Sequence, residues 1–267
     1  MNGNRNKYAL VTGASKGLGK ALALELALRG VNVLLVALKG EELPELCAYI
    51  KNKYRVEADY LEINLKDAFA VHRIADWVKQ TDVHILINNA GVGGSKHFEL
   101  AGFDYLDTMI SINIRALSLL TYLLLPNLKR HNKSYILNVA SMASFCPIAF
   151  KTVYPASKSF VYFFSRCLSE ELKNTPVSVS VLHPGPMKTN PEVSKRIESQ
   201  GHWARLGVQS PEDVADVAIC KLFKDKPMII PGYMNKINWL LMKITPTWIK
   251  IPLISRNVKR EIVTQLN

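Results

Sequence analysis

Short apolar segments alternate with longer helical ones along most of the chain, and this alternation restricts the fold more than any other feature. The apolar segments are unbroken, as expected for strands buried on both faces of a sheet. Such an order predicts an α/β fold, a Rossmann-type doubly wound parallel sheet of about seven strands in three α/β/α layers. The apolar runs lie at residues 8–11, 31–37, 56–63, 83–87, 135–139, 177–182 and, more weakly, 227–230. Helical patterns lie at about 18–29, 41–53, 66–80, 102–130, 154–173 and 210–224.

The net charge of +12 is compatible with three kinds of partner: nucleic acid, an anionic membrane surface, or an anionic cofactor or substrate. Nucleic-acid binders concentrate Lys and Arg on one face or in a dense run, whereas here these residues are scattered. We therefore expect no nucleic-acid partner, and a solvated basic surface is the simplest interpretation.

The four cysteines show no paired spacing, so we predict neither a metal site nor a disulfide framework. Dispersed thiols are typical of a reducing compartment. The segment before the first strand lacks the apolar region of a signal peptide, and no unbroken apolar run reaches the ~18 residues that span a bilayer. These features predict a cytoplasmic protein.

A glycine-rich segment, T-G-A-S-K-G-L-G at residues 12–19, follows the first apolar run and opens the first helical stretch. Glycines there let the backbone approach a pyrophosphate, which rests on the free N–H groups of the helix. A glycine turn without a ligand is the alternative, but the strand before and the helix after favour dinucleotide binding. The expected cofactor contacts in this segment are Gly13, Ser15, Lys16, Gly17, Leu18 and Gly19.

Further motifs follow this segment in a consistent order. N-N-A-G at residues 88–91 ends a strand, Asn113 lies in the long helical stretch, Ser141 ends an apolar run, and Tyr154 precedes Lys158 by one helical turn. With T-G-x-x-x-G-x-G, this order resembles the short-chain dehydrogenase/reductase family.

The resemblance spans about residues 7–232 and implies an NAD(P)-dependent oxidoreductase acting on a CH–OH or C=O group. We accordingly predict a dinucleotide-binding and catalytic domain at residues 1–232. Residues 233–267 do not continue the strand–helix rhythm and form a basic, apolar extension packed on the same domain. A non-catalytic dinucleotide sensor or scaffold on the same fold is the alternative function, and an extended-type epimerase or dehydratase ranks lower.

The resemblance also implies a catalytic role for each of four residues. Tyr154 is the general acid in reduction and the base in oxidation, and Lys158 stabilises its phenolate, which is otherwise scarce because a free Tyr has a pKa of about 10. Lys158 also bonds the nicotinamide ribose. Ser141 polarises the substrate carbonyl, and Asn113 supports a water-linked proton path from Lys158.

A Tyr with a Lys four positions later is weak evidence by itself, and the chain contains a second such pair. Tyr49 and Lys53 lie on a predicted surface helix without a preceding strand-end serine, so we assign them no function. In the catalytic pair Pro155 follows Tyr154, and because proline is tolerated in a first helical turn, we expect this helix to start at about Thr152.

Other cofactor contacts are implied at the ends of later strands. The N-N-A-G turn braces the sheet and the ribose side of the cofactor. Asn64 stands where the family commonly has an Asp that contacts adenine, and the turn after residue 182 borders the nicotinamide. The residues concerned are Asn64, Asn89, Ala90, Gly91, Pro184, Gly185 and Thr189, together with Tyr154 and Lys158.

The end of the second strand favours NADP (NADPH) over NAD. NAD enzymes usually place an acidic residue there for the ribose hydroxyls, and NADP enzymes a basic one for the 2′-phosphate. The segment ends in Leu38 and Lys39 without an acid at the expected place, and Lys39, helped by Lys16, is suited to a phosphate. NAD is not excluded by this argument.

The sequence constrains the substrate and the oligomeric state less than it constrains the fold. Apolar candidates for a pocket wall suggest a lipophilic ketone, alcohol or acyl substrate; they are Phe145, Pro147, Phe150, Met187 and Trp203. By family analogy the long helices form a homodimer or homotetramer interface, with Leu117, Leu120, Phe160 and Phe164 as candidates; a place in the core is the alternative for these four side chains. For the C-terminal extension, a helical cover over the sheet edge or substrate mouth is favoured over contact with a membrane surface.

Overall fold

A computed structural model describes residues 7–187 and 207–266 of the chain. In that part, seven parallel strands form one sheet in the order β3-β2-β1-β4-β5-β6-β7. The predicted Rossmann-type, doubly wound fold is thereby confirmed. The strands are β1 Tyr8–Thr12, β2 Asn32–Ala37, β3 Ala58–Glu62, β4 Val83–Asn88, β5 Ser134–Val139, β6 Val177–Leu182 and β7 Met228–Ile229.

Helices cover both faces of this sheet, close to the predicted positions. Those described are α1 Gly17–Leu28, α2 Leu43–Tyr54, α3 Ala70–Trp77, α4 Phe103–Ile110, α5 Leu117–Lys129, α6 Val153–Glu171, α7 Pro211–Leu222, α8 Tyr233–Ile244 and α9 Thr247–Leu266. A local signal accounts for the start of α7, where the Ser210 hydroxyl accepts a hydrogen bond from the Asp213 amide and Pro211 takes the first helical position.

Successive side chains of a strand enter opposite core layers, which explains the unbroken apolar runs. In β1, Ala9 and Val11 pack with the leucines of α1, whereas Leu10 faces the layer of α3 and α5. The edge strand β3 departs from this pattern, because its Asp59 and Tyr60 side chains are exposed. Only strands with neighbours on both sides are fully buried.

The long helical stretch predicted at 102–130 is not uniform. Between α4 and α5 the turn Ser111–Ala116 is π-helical, a form that occurs mostly as single turns and often at functional sites. The whole stretch, Phe103–Lys129, is long and apolar enough to cross a membrane by length and composition. Its inner side chains, including Leu124 and Leu128, are buried in the core, as in a helix that covers a sheet.

Two of the predicted interface residues are core residues. Leu117 and Leu120 are buried within the chain, so they are not available to a partner, and that part of the prediction was wrong. Helical periodicity turns these leucines towards the sheet. Phe160 and Phe164 stack on each other on α6, and Phe160 remains partly exposed.

The C-terminal extension lies on the Rossmann-type sheet domain through specific contacts. Trp239 of α8 meets the Phe145 ring edge to face at 6.3 Å between centroids. In α9, the buried Ser255 hydroxyl accepts a hydrogen bond of 2.9 Å from the Ala149 amide. Both contacts reach the segment that follows β5, so the extension covers this side of the sheet.

Candidate active site

The glycine loop lies at the carboxyl end of β1, beside the point where the strand order reverses. Ligands of doubly wound sheets bind in this crevice. Gly13 has φ +64°, and a Cβ there would lie 2.9 Å from the Ala90 Cα. A Cβ on Gly19 would lie 1.9 Å from the Gly13 carbonyl oxygen. Only glycine fits at these positions, and the resulting backbone cradle at the start of α1 suits the pyrophosphate of a dinucleotide.

The N-N-A-G turn after β4 braces the glycine loop through Asn89 and Thr12. The Asn89 side chain donates hydrogen bonds of 3.0 and 3.1 Å to the carbonyls of Thr12 and Gly13. The Thr12 hydroxyl oxygen accepts from the amides of Asn89 and Ala90, each at 3.1 Å. The ends of β1 and β4 are thereby held together at the crevice.

Lys158 and Asn113 converge beneath Gly91. A Cβ on Gly91 would lie 3.1 Å from the Lys158 Nζ and 3.2 Å from the Asn113 Oδ1. The Lys158 ammonium donates to the Val139 carbonyl at 2.9 Å. Its complete burial lowers the pKa of the Lys158 ammonium to about 8.

The π-helical turn presents the buried Asn113 to two neighbouring segments. Its amide nitrogen donates to the Val92 carbonyl and to the Ser157 hydroxyl, both at 2.9 Å, and its Oδ1 accepts from the Val92 amide. The Ser157 hydroxyl donates to the Tyr154 carbonyl at 2.8 Å. Asn113 therefore links the loop after β4 to the first turn of α6.

Tyr154 occupies that first turn, since Thr152 directly precedes the helix and the start predicted from Pro155 is confirmed. A Cβ on Gly93 would lie 2.7 Å from the Tyr154 ring, so the backbone of the loop after β4 packs directly against the phenol ring. The Lys158 Nζ lies 6.0 Å from the centroid of the ring. By contrast, the Tyr49 hydroxyl accepts directly from Lys53 at 2.6 Å on an exposed surface of α2, which is the surface helix that the sequence predicted for this pair.

Ser141 follows β5 on the same side of the sheet as Tyr154, and its backbone is held by a buried histidine. The His183 Nδ1 lies 2.9 Å from the Ser144 Oγ and 3.1 Å from the Ser141 carbonyl oxygen. Because a carbonyl only accepts, Nδ1 carries the proton. Burial lowers the pKa of the His183 imidazole to about 4, so the ring is neutral. It packs between Phe145 and Tyr162.

The end of β2 differs in part from the sequence interpretation. Lys39 is exposed there as expected, but Lys16 forms a 2.9 Å ion pair with Glu41, which also accepts from the Ser15 hydroxyl. The hydrogen bond from Lys16 holds the pKa of Glu41 below its ordinary value. An acidic residue is thus present near the loop, two positions beyond the place where the sequence argument looked for one.

Asn64 at the end of β3 uses its side chain locally, since its Oδ1 accepts from the Lys66 amide at 3.0 Å. Pro184 lies beside Ser141, because its carbonyl accepts from the Met142 amide at 3.0 Å. The predicted contacts Thr189 and Trp203 lie outside the described residues.

Gly185 is fitted against the C-terminal extension. A Cβ there would lie 2.5 Å from the Asn235 side chain, and so would one on Gly207. Asn235, in the first turn of α8, is buried and donates to the carbonyls of Gly207 and Pro231 and to the Gln209 side chain. The extension therefore supports the turn predicted to border the nicotinamide.

The described residues of the proposed pocket wall make different contacts. Phe145 packs against His183 and Trp239, and Met187 packs on the core under α1 and α7. Pro147 is exposed, and Phe150, at φ +67°, meets the His97 ring at 4.9 Å.

Sequence reasoning missed two residues that hold the site, Glu41 and Asn235, and it included His183 only as part of the turn after residue 182, without giving it a role. Each acts through a long-range contact. Position directly after a strand end was the available signal for His183, since such positions lie at the crevice. Asn235 lies in a segment whose composition suggested only a cover, and no local pattern distinguishes it.

Nicotinamide-dependent oxidoreductases hold their dinucleotide in a cradle of backbone groups, at the point where the strand order of a doubly wound sheet reverses. The fold and the site of this chain define a protein of that class. Residues 7–200 match the family model described as short chain dehydrogenase. The chain belongs to this family.

Relatives support the same assignment. The chain is similar to hydroxysteroid dehydrogenase-like protein 1 of Gallus gallus, with 32% identity over 247 residues, 91% of this chain and 73% of that protein. It is 35% identical to very-long-chain 3-oxoacyl-CoA reductase-B of Danio rerio over 182 residues, 67% of this chain. The chain spans 58% of the length of that reductase and of its Homo sapiens counterpart.

Solved structures agree on the fold. A 7β-hydroxysteroid dehydrogenase matches with a TM-score of 0.83 at 21% identity, covering 96% of each chain. A short-chain dehydrogenase from Sphingobium yanoikuyae in complex with NADPH matches with a TM-score of 0.74 at 25% identity, covering 90% of this chain and 96% of that one.

Proposed function

We propose that this oxidoreductase is an NADPH-dependent carbonyl reductase or alcohol dehydrogenase in which Tyr154 transfers the proton. The observation that carries the proposal is the burial of Lys158, whose pKa is lowered to about 8, one helical turn beyond Tyr154 and beneath Gly91. A buried lysine without an acidic partner is costly, and such groups cluster at functional sites. A sensor would not require this cost, so the non-catalytic alternative is not favoured.

The chain's own residues would divide the work as follows. The nicotinamide, when bound, supplies or accepts the hydride. Tyr154 holds the proton at its phenolic oxygen, and the Lys158 ammonium favours its release. Ser141 hydrogen-bonds the substrate oxygen, with its backbone fixed by His183 and Ser144. Asn113 fixes the Val92 segment to the first turn of α6, so that these groups keep their positions.

We further propose a lipophilic ketone or acyl substrate. The names of the relatives, a hydroxysteroid dehydrogenase-like protein and very-long-chain 3-oxoacyl-CoA reductases, support this class.

A carbonyl panel tests the substrate class. With NADPH in excess, a steroidal ketone, a long-chain 3-oxoacyl thioester and an aromatic ketone are each expected to give kcat/KM at least about 100-fold above acetone, because each buried CH₂ contributes about 0.8 kcal/mol. Initial rates of absorbance loss at the nicotinamide band measure this. Equal rates for small and large ketones would reject a lipophilic pocket, and no turnover of any ketone would reject the proposed reaction.

The cofactor preference rests on Lys39. Lys39→Ala is expected to weaken NADPH binding about tenfold and to leave NADH binding unchanged, because a charge-assisted contact with a 2′-phosphate contributes about 1.5 kcal/mol. Glu41→Gln is expected to strengthen NADPH binding, since it frees Lys16 and removes a carboxylate from the loop. Fluorescence titration measures both constants, with Lys51→Ala on α2 as the matched surface control. Tighter binding of NADH than of NADPH to the unaltered protein would contradict the assignment.

A further inference from the structure

The C-terminal helices α8 and α9 expose an unusual amount of apolar surface around the turn that joins them. Trp248 is 76% exposed, Ile244 68% and Leu253 67%. These residues lie within a short stretch of chain. We call this surface the tail patch; it consists of Leu240, Leu241, Ile244, Trp248, Ile249 and Leu253.

On α8 this apolar surface faces outward as a continuous stripe. Tyr233, Leu240 and Ile244 are separated by seven and then four positions, so they share one helix face. The opposite face carries the buried Asn235, which holds the helix on the domain. The helix therefore directs Asn235 and Trp239 towards the domain and leaves Leu240 and Ile244 exposed to solvent.

Lysines border the patch. Lys236 and Lys243 lie on one flank of the stripe and are exposed, and the Lys243 ammonium lies 5.7 Å from the centroid of the Trp239 ring. The Lys250 ammonium is held beside the patch by a 2.8 Å hydrogen bond to the Met242 carbonyl. Residues 233–267 contain six Lys or Arg and one acidic residue, Glu261.

We propose that the tail patch binds the surface of an anionic lipid bilayer. Exposed Leu and Ile side chains on α8, an exposed Trp at the start of α9 and the neighbouring lysines together have the chemistry of an interfacial membrane contact. Tryptophan favours the headgroup level, and each lysine near an anionic surface contributes about 1 kcal/mol.

Charge distinguishes this partner from a second copy of the chain. Two tail patches brought together would oppose their lysines, and the whole chain carries a net charge of +12, so self-association through this face is electrostatically unfavourable. The apolar surface of α5 and α6 differs, because acidic and basic residues are mixed around it, including Arg166 and Glu170. An anionic surface is the complementary partner of the tail patch.

Vesicle binding tests the proposal without reference to catalysis. The purified protein is expected to sediment with sucrose-loaded vesicles of phosphatidylglycerol and phosphatidylcholine in equal amounts. It should sediment weakly with pure phosphatidylcholine, and raising the salt concentration should release it. Tyr154→Phe is expected to bind vesicles as the unaltered protein does, which separates this result from the proposed function.

Two sets of substitutions at exposed positions separate the apolar and electrostatic parts. Lys236→Gln with Lys243→Gln is expected to lower the vesicle partition coefficient about 25-fold. Ile244→Ser, Trp248→Ser and Leu253→Ser together should lower it at least about 100-fold. Matched controls are Lys79→Gln with Lys129→Gln for charge and Phe69→Ser for exposed apolar surface, with folding followed by circular dichroism.

Two results would overturn the proposal. One is failure of the unaltered protein to bind anionic vesicles, and the other is equal binding by the triple-serine variant. A loss of oligomer mass by the triple-serine variant in light scattering, without vesicle binding by the unaltered protein, would assign the patch to a second copy of the chain instead.

Discussion

Tyr154→Phe is expected to lower kcat for ketone reduction by about 10³-fold, while the dissociation constant of NADPH stays within about twofold. A positioned proton donor contributes about 10²–10⁴ in rate. The substitution removes only the hydroxyl group. The ring is expected to keep its position, because it packs against the Gly93 backbone, where a Cβ would lie 2.7 Å from it. Single-turnover oxidation of bound NADPH, with the fold checked by circular dichroism, measures the loss.

The second tyrosine–lysine pair supplies the control for that experiment. Tyr49→Phe removes a hydroxyl that accepts from Lys53 at 2.6 Å, in the same sequence spacing but on a surface helix. We expect full activity from this variant. A Tyr154→Phe enzyme within a few fold of the unaltered rate would show that another group transfers the proton.

Lys158→Met is expected to reduce kcat/KM by about 10³-fold and, at the same time, to stabilise the cofactor-free protein. Activity falls because the ammonium beside Tyr154 is removed. Stability rises because the buried Lys158 has a pKa of about 8, against about 10.4 for a lysine in the unfolded chain. At pH 7 the burial of that charge destabilises the folded protein by about 3 kcal/mol, and the hydrogen bond to the Val139 carbonyl stabilises it by about 1 kcal/mol. The methionine variant loses both, so its free energy of unfolding is expected to rise by about 2 kcal/mol.

The pH dependence of the free energy of unfolding gives the sign of the stability change in the methionine variant. Between pH ~8 and ~10.5 the unfolded chain retains a proton that the folded protein has released, so the free energy of unfolding of the unaltered protein rises with pH over this window. The methionine variant lacks that rise. The difference between the two proteins is therefore largest below pH ~8 and decreases as the pH rises above it.

Urea unfolding at several pH values measures the difference, with Lys51→Met on the exposed face of α2 as control. A variant less stable than the unaltered apoprotein at pH 7 would contradict the assigned cost of burying Lys158. Activity loss without a stability gain would leave the catalytic role intact and place the pKa of the lysine near its ordinary value.

The sequence predicted the layers of the fold and the order of the motifs, because both depend on local periodicity and on strand ends that parallel sheets bring together. It also placed Tyr154 in the first turn of its helix through Pro155. The π-helical turn at Ser111–Ala116 was beyond such reasoning, since its residues read as ordinary helix. That turn is what carries the buried Asn113 amide, which reaches both Val92 and Ser157.

The interface assignment failed where helix phase decides burial. Leu117 and Leu120 were candidates by family analogy, but helix phase, which depends on the sheet beneath, buries them. The ion pair of Lys16 with Glu41 joins segments that only the folded chain brings together, and the sequence argument did not include it. Periodicity does not contain this information.

The fit of Asn235 between Gly185 and Gly207 has a consequence for how chains of this kind can diverge. A side chain larger than hydrogen at either glycine would collide with the amide of Asn235, so these three positions are sterically one unit. A larger residue at Gly185 therefore requires a shift or a compensating change of the Asn235 side chain in α8. The extension and the catalytic domain are therefore expected to change together over evolutionary time, rather than being exchanged as separate modules.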